Sequence, residues 1–171
     1  NMVAEIGLVD KLTVPRVAQL TQKTNQFNLT TRRYTEDEIS GLMVDPQVDV
    51  VYLKLSDYIS DLGLVGVVII KYNDKDAVID TFLLSCRVLG RGVEDMLLSQ
   101  ILAKASERGC RQIIGEYVPS AKNGQVTDFY ERSRFQLVAE KEPAYIWSLA
   151  LENVVRSEPK WFKVNLINKR E

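Results

Sequence analysis

The sequence predicts one α/β domain, a mixed central sheet of about six to seven strands flanked by helices, in the order ααβββαβαββ. Three observations predict it. An early pair of helical segments carries start and stop signals, three β-branched stretches follow between Val48 and Val88, and a glycine-bearing turn then leads into a strongly periodic helix. With 171 residues, 46% of them hydrophobic, the chain can bury one substantial core and gives no reason to expect two.

Residues 1–12 read as a linker or tag remnant. Thr13 can cap a first helix, with Pro15 in its opening turn and Val14, Val17, Ala18 and Leu20 as its apolar face, ending near Thr24. The segment from Gln22 to Tyr34, rich in amides and hydroxyls, reads as an exposed loop, either a ligand contact or a solvated connector. Thr35 and Glu38 have capping-box spacing and open a second helix, with Ile39, Leu42 and Met43 on its buried side and Pro46 closing it.

The period then changes to strands over Val48–Leu55, Leu64–Tyr72 and Ala77–Val88, the last two joined by the turn Tyr72 to Lys75. After Gly90 and Gly92, the residues Val93, Leu97, Ile101 and Ala105 repeat at helical spacing, and Gly109 stands where a C-terminal cap belongs. A short strand over Ile113–Tyr117, a helix around Val126–Arg132, and strands over Phe135–Glu140 and Tyr145–Leu151 complete a domain spanning 13–151. The charged tail, 152–171, carries Trp161 and Phe162, which are expected to pack back on the sheet.

Composition narrows the chemistry. Lys and Arg number 22 against 23 Asp and Glu, so no nucleic-acid footprint is expected and a charged ligand must be held locally. No apolar run approaches the roughly 20 residues of a membrane span. The lone cysteines, Cys86 and Cys110, suit neither a disulfide scaffold nor a zinc site, and no stretch reads as a secretory signal, which favours a reducing, cytoplasmic setting. There is no histidine, which removes Ser/His/Asp and Cys/His catalysis and the commonest metal ligand, so no metal is expected. Carboxylates, Tyr, Lys, Cys, water or a pre-activated substrate must serve.

The segment Arg87-Val88-Leu89-Gly90-Arg91-Gly92-Val93 lies between a strand and the most periodic helix. First-turn N–H groups lack helical partners and the helix dipole favours negative charge there, so a phosphate or pyrophosphate suits this turn. Glycine lets the backbone approach it without a Cβ in the way. Arg87 and Arg91 add positive charge.

Further on, Asn123 is followed by Phe129, Tyr130 and Phe135. Together these two segments resemble the signature of GNAT acyltransferases: Arg/Gln-x-x-Gly-x-Gly/Ala after the fourth strand, then an Asn, a Phe-Tyr pair and a terminal Phe around the last helix. The resemblance covers roughly 13–151. One departure stands out: Arg134 occupies the place before the terminal Phe where that family has a left-handed Gly, so the helix is expected to end differently.

A closer likeness is carried by LTQKTNQFNLTTRRYT, LGLVGVVI, LSCRVLGRGVE, and EYVPSAKN followed by DFY, which resemble the C-terminal half of FkbH-like proteins. In that family a phosphatase-like N-terminal half handles a phosphorylated three-carbon acid, and a glyceryl group is loaded as a thioester on an acyl carrier protein for polyketide extender units. The resemblance implies coenzyme A, acyl-CoA or carrier-protein phosphopantetheine as the group bound. It implies an acyl carrier protein and the phosphatase-like domain as partners.

Residue by residue, the resemblance implies that Gly90, Arg91, Gly92, Val93 and Glu94, assisted by Arg87, grip phosphate. Leu84, Cys86 and Val88 would run beside the pantetheine amides as if adding a strand. Asn123 would bond that arm, Phe129 would flank it, and Tyr130 would donate to the leaving sulfur. Glu116 and Asp80 are the candidate bases. Cys86 beside the turn is either an acyl carrier or a small buried side chain. Arg32, Arg33, Arg87 and Arg91 can meet either form of donor. Three readings follow: an acyltransferase, a non-catalytic module docking a carrier protein, and a free-standing small-molecule N-acetyltransferase.

Overall fold

The computed structural model describes residues 1–154 and 160–167. In chain order the elements are β1 (Met2–Leu8), α1 (Val14–Lys23), β2 (Phe27–Asn28), α2 (Glu36–Val44), β3 (Val48–Ser56), β4 (Asp61–Asn73), β5 (Asp76–Leu84), α3 (Val93–Glu107), β6 (Gln112–Tyr117), α4 (Phe129–Arg132), β7 (Gln136–Lys141), β8 (Ala144–Ala150) and β9 (Phe162–Ile167). The strands form one sheet in the order β7-β8-β6-β5-β4-β3-β1-β9, with β2 added beside β5. Neighbours are antiparallel except β5 with β6 and β1 with β9, which run parallel.

Side-chain alternation along the strands makes two apolar faces. One face, with Val50, Tyr52, Val67 and Ile69, is covered by Val14, Val17 and Leu20 of α1 and Ile39 of α2. On the other, Val51, Leu53, Val68 and Phe82 meet Val93, Met96, Leu97 and Ile101 of α3 and Phe129 and Tyr130 of α4. The Thr35–Glu38 capping box forms as its spacing requires, and Gly109 takes φ 85° just beyond α3. Thr13 stands at the N-cap of α1 but does not cap it. Its hydroxyl bonds Asp10 instead.

Several segments differ from expectation. Residues 2–8, read as part of a linker, form β1, which pairs β3 through Ala4↔Leu55 and Ile6↔Leu53 and contributes buried Ala4 and Ile6. The third predicted strand stops at Leu84, because Cys86–Val88 turn into a 3-10 helix ahead of the glycines. The helix expected around 126–132 is split into a 3-10 turn, Gly124–Val126, and the short α4. Beyond α4, Arg134 adopts φ 68°, so a non-glycine residue takes the left-handed conformation and the termination is conserved in geometry despite the side chain. The tail supplies β9 beside β1.

The largest difference lies in the segment read as an exposed loop. Phe27, Asn28, Leu29 and Thr30 are all buried, and β2 inserts into the sheet.

Candidate active site

β5 and β6 are paired only from Asp76↔Gln112 to Ile79↔Gly115. Beyond that point β5 continues to Leu84 beside β4, and β6 continues to Tyr117 beside β8, so the two strands part and leave a wedge between them. At the far end of β5 the chain passes through the 3-10 turn and two left-handed glycines, Gly90 at φ 76° and Gly92 at φ 71°, into α3. Gly92 is the N-cap of α3, no side chain caps it, and the first helical bond runs from Met96 N–H to the Gly92 carbonyl. The first-turn N–H groups therefore have no capping side chain to satisfy them, the arrangement in which helix N-termini bind phosphate.

Charges of both signs surround this turn. Arg87 is exposed and donates to the Leu62 carbonyl at 3.3 Å, and Arg91 is exposed beside Met2. Glu94 and Asp95 fall in the first turn of α3, and Arg132 of α4 reaches both, at 3.5 and 3.1 Å. Glu94 Oε2 is buried without a partner among the described residues. Trp161, just before β9, stands beside the turn: a Cβ at Gly92 would lie 3.8 Å from its indole nitrogen.

The wedge is filled by the chain itself. Phe27 and Asn28 pair Leu84 and Leu83, Leu29 N–H donates to the Phe82 carbonyl at 3.1 Å, and on the other side Val118 N–H donates to the Leu29 carbonyl at 2.8 Å. The edge of β5 that was expected to lie beside a pantetheine arm thus bonds β2, and Leu84 is engaged there. Cys86 and Val88 are not on the strand at all. Cys86 is exposed on the 3-10 turn, whereas Val88 is wholly buried in the core.

Asn123 is also engaged internally. Its amide donates to the carbonyls of Asn28 and Val118, both at 2.9 Å, and its oxygen accepts from Ser120 N–H at 2.8 Å and from the Tyr117 hydroxyl at 3.3 Å. The side chain is wholly buried and no donor or acceptor is left for an arm. Phe129 sits inside an aromatic cluster with Phe27, Phe82 and Tyr130, at centroid distances of 5.4, 5.1 and 5.4 Å.

Tyr130 lies over Gly115 of β6, so closely that a Cβ on the glycine would be 2.3 Å from its ring. Its hydroxyl is buried and has no hydrogen-bond partner among the described residues. Burial, and then the charge of Glu116, push the phenol well above its ordinary range, so it stays protonated and keeps a proton to donate in a hydrogen bond.

The two candidate bases come together at the mouth of the wedge, joined by a residue the sequence gave no reason to pair with them. Arg32 donates to Asp80 Oδ1 at 3.0 Å and to Glu116 Oε2 at 2.8 Å. Lys71 stands 3.1 Å from Asp80, and the hydroxyls of Tyr34 and Thr81 donate to its other oxygen. Burial pushes the Asp80 carboxyl up, but the Tyr34 and Thr81 hydrogen bonds and the Lys71 and Arg32 charges outweigh it and hold it below the usual carboxylate range. A carboxylate held this way is a poor base. Arg33, grouped with the possible phosphate ligands, instead bonds the carbonyls of Thr21 and Thr24 at the end of α1.

Among the described residues no cluster of His, Cys, Asp or Glu could hold a metal ion, and no helix is long and apolar enough to cross a membrane.

No protein-family model and no curated protein matches the sequence. Solved structures do resemble it. The ribosomal-protein-S18-alanine N-acetyltransferase from Escherichia coli matches 89% of this chain and 99% of its own at 14% identity and a TM-score of 0.65. An acetyltransferase of the GNAT family from Desulfovibrio desulfuricans matches 88% and 99% at 16% identity and a TM-score of 0.63. NAA60 from Arabidopsis thaliana, solved in complex with acetyl-CoA, matches 86% and 99% at 13% identity and a TM-score of 0.65. At such identities the likeness shows the fold: this chain has the mixed sheet and flanking helices of GNAT acetyltransferases.

Proposed function

We propose that this domain is an acyltransferase that takes its acyl group from a pantetheine thioester, of coenzyme A or of a carrier protein. The observation that carries the reading is the parting of β5 and β6 beyond Ile79 and Gly115, with a left-handed glycine turn and an uncapped α3 at one end and the unpartnered Tyr130 hydroxyl buried beneath. The N–H groups from Arg91 to Glu94 would hold phosphate, with Arg87 and Arg91 nearby. Tyr130 would donate a hydrogen bond to the sulfur as the carbon–sulfur bond breaks and the electron pair stays on sulfur. Glu116, once released from Arg32, is the nearer of the two carboxylates to Tyr130 in sequence and in charge, and would take the proton of an acceptor.

The likeness to FkbH-like proteins supports a finer version, in which the acyl group is glyceryl, an acyl carrier protein provides a thiol, and a phosphatase-like domain supplies the activated acid in the cytoplasm. A second reading, a non-catalytic module that docks a carrier protein, is favoured by two observations: Arg32 pairs both candidate bases, and β2 fills the wedge.

Calorimetric titration with coenzyme A, and in parallel with holo and apo carrier protein, tests the reading. Binding should weaken at least about tenfold in Gly92→Glu, whose carboxylate repels phosphate and whose φ of 71° disfavours a side chain. Binding that ignores this substitution would refute the phosphate turn. Binding without thioester turnover would favour the docking module.

A further inference from the structure

We infer that Phe27–Arg32 is a displaceable strap, which closes the wedge between β5 and β6 and is withdrawn when a pantetheine arm enters, taking Arg32 off Glu116 and Asp80 in the same movement. This rests on the reading of the domain as one that binds a pantetheine thioester.

Steric and hydrogen-bonding competition comes first. The strap uses the edge of β5 at Phe82, Leu83 and Leu84, and also Val118 beyond β6. An arm with amide N–H and C=O groups needs an unpaired strand edge of this kind, and two chains cannot share one edge. Arm and strap are therefore alternatives.

The way the strap is held differs from a permanent core strand. Only Phe27 and Asn28 make ladder pairs. Much of the remainder is polar: the Asn28 carbonyl accepts from Asn123 at 2.9 Å, Asn28 itself donates to the Thr24 carbonyl at 3.1 Å, and the Thr30 hydroxyl donates to the Asp80 carbonyl at 2.9 Å. Amides and carbonyls exposed by withdrawal can be satisfied by water or by the amides of an arm, which an apolar seam could not exploit. Within the strap, Thr31 has φ 54°. A β-branched residue is strained there, and withdrawal relieves it.

The coupling to chemistry is covalent continuity. Arg32 lies two residues after Thr30 and bridges Asp80 and Glu116 only while the strap is seated. Its departure leaves Glu116 free to accept a proton at the time the thioester arrives. Without the arm, the carboxylates remain masked. Burial of Phe27 and Leu29 keeps the closed form dominant, so the apparent affinity for an arm is reduced by the open fraction.

Hydrogen exchange of the intact chain, read residue by residue, tests this with coenzyme A and with 3′-phosphoadenosine 5′-diphosphate, the same head without the arm. Coenzyme A should deprotect the Leu29 amide, while the head alone should leave it protected. In parallel, Thr30→Val removes one bond of the strap and should bind coenzyme A about fivefold more tightly, with the head alone unchanged. Coenzyme A bound with Leu29 still protected, or deprotection by the head alone, would overturn the strap and leave the function standing. Failure of both coenzyme A and holo carrier protein to bind either the chain or Thr30→Val would overturn the function and the strap with it.

Discussion

The Asn123 side-chain amide donates to the Asn28 carbonyl at 2.9 Å across 95 residues of sequence. This contact joins the loop after β6 to the strand that fills the wedge, and it uses one of four hydrogen bonds that saturate the amide. Asn123→Ala would leave the carbonyls of Asn28 and Val118 without that donor. A loss on the order of 3 kcal/mol in unfolding free energy is expected from urea titration.

Arg134 holds φ 68° where a glycine would rest without strain. Its side chain is exposed, so Arg134→Gly removes little packing. The relief of left-handed strain outweighs the added freedom of the unfolded chain, and stability should rise by about 0.5–1 kcal/mol, seen as a melting temperature higher by about 2–3 °C.

Asp80 gives the acid response its sign. Its folded pKa lies below the unfolded value, so its stabilisation is present above about pH 4 and is lost as pH falls through the folded value. Asp80→Asn should be less stable than the parent at pH 7, because Lys71 loses its partner and Arg32 one of its two, and the difference should shrink on acidification. Urea midpoints measured from pH 7 to pH 2 would show the two curves converging. Parallel curves would mean that Asp80 is not the group being protonated.

Tyr130 separates stability from activity. Its hydroxyl is buried and unpaired among the described residues, so Tyr130→Phe should leave stability unchanged or raise it by about 1 kcal/mol. Thioester turnover should nevertheless fall by about 100-fold, since the donor to sulfur is gone. Gly115→Ala is the contrasting control: its Cβ would lie 2.3 Å from the Tyr130 ring, so it should destabilise by about 3 kcal/mol.

Much of the architecture was legible because it follows from periodicity. The helical repeat of Val93, Leu97, Ile101 and Ala105 and the β-branched runs of β3 to β5 face a core and must be apolar there. β9 also carried a signal, Phe162 and Val164 alternating with Lys163 and Asn165, but it was short and lay in a charged tail. β2 could not be found that way. Asn28 is buried because Asn123 and Thr24 satisfy it, a relation across distant segments that no local pattern encodes. The glycine turn was legible from its own residues. The Arg32 bridge was not, since Glu116 is 84 positions away and becomes a neighbour only after β5 and β6 align.

β1 lies between β3 and β9, and the Met2 N–H donates to the Trp161 carbonyl at 3.2 Å, so the outer edge of β1 is closed by a segment that follows every other strand of the sheet in the chain. β9 comes after the other eight strands in the chain, so every other pairing in the sheet can form before Phe162 leaves the ribosome. Until then the outer edge of β1 is an unprotected template, open to a strand of any neighbouring chain. β9 therefore acts as a guard on β1, and the nascent domain stays open to association along this edge until β9 has been made.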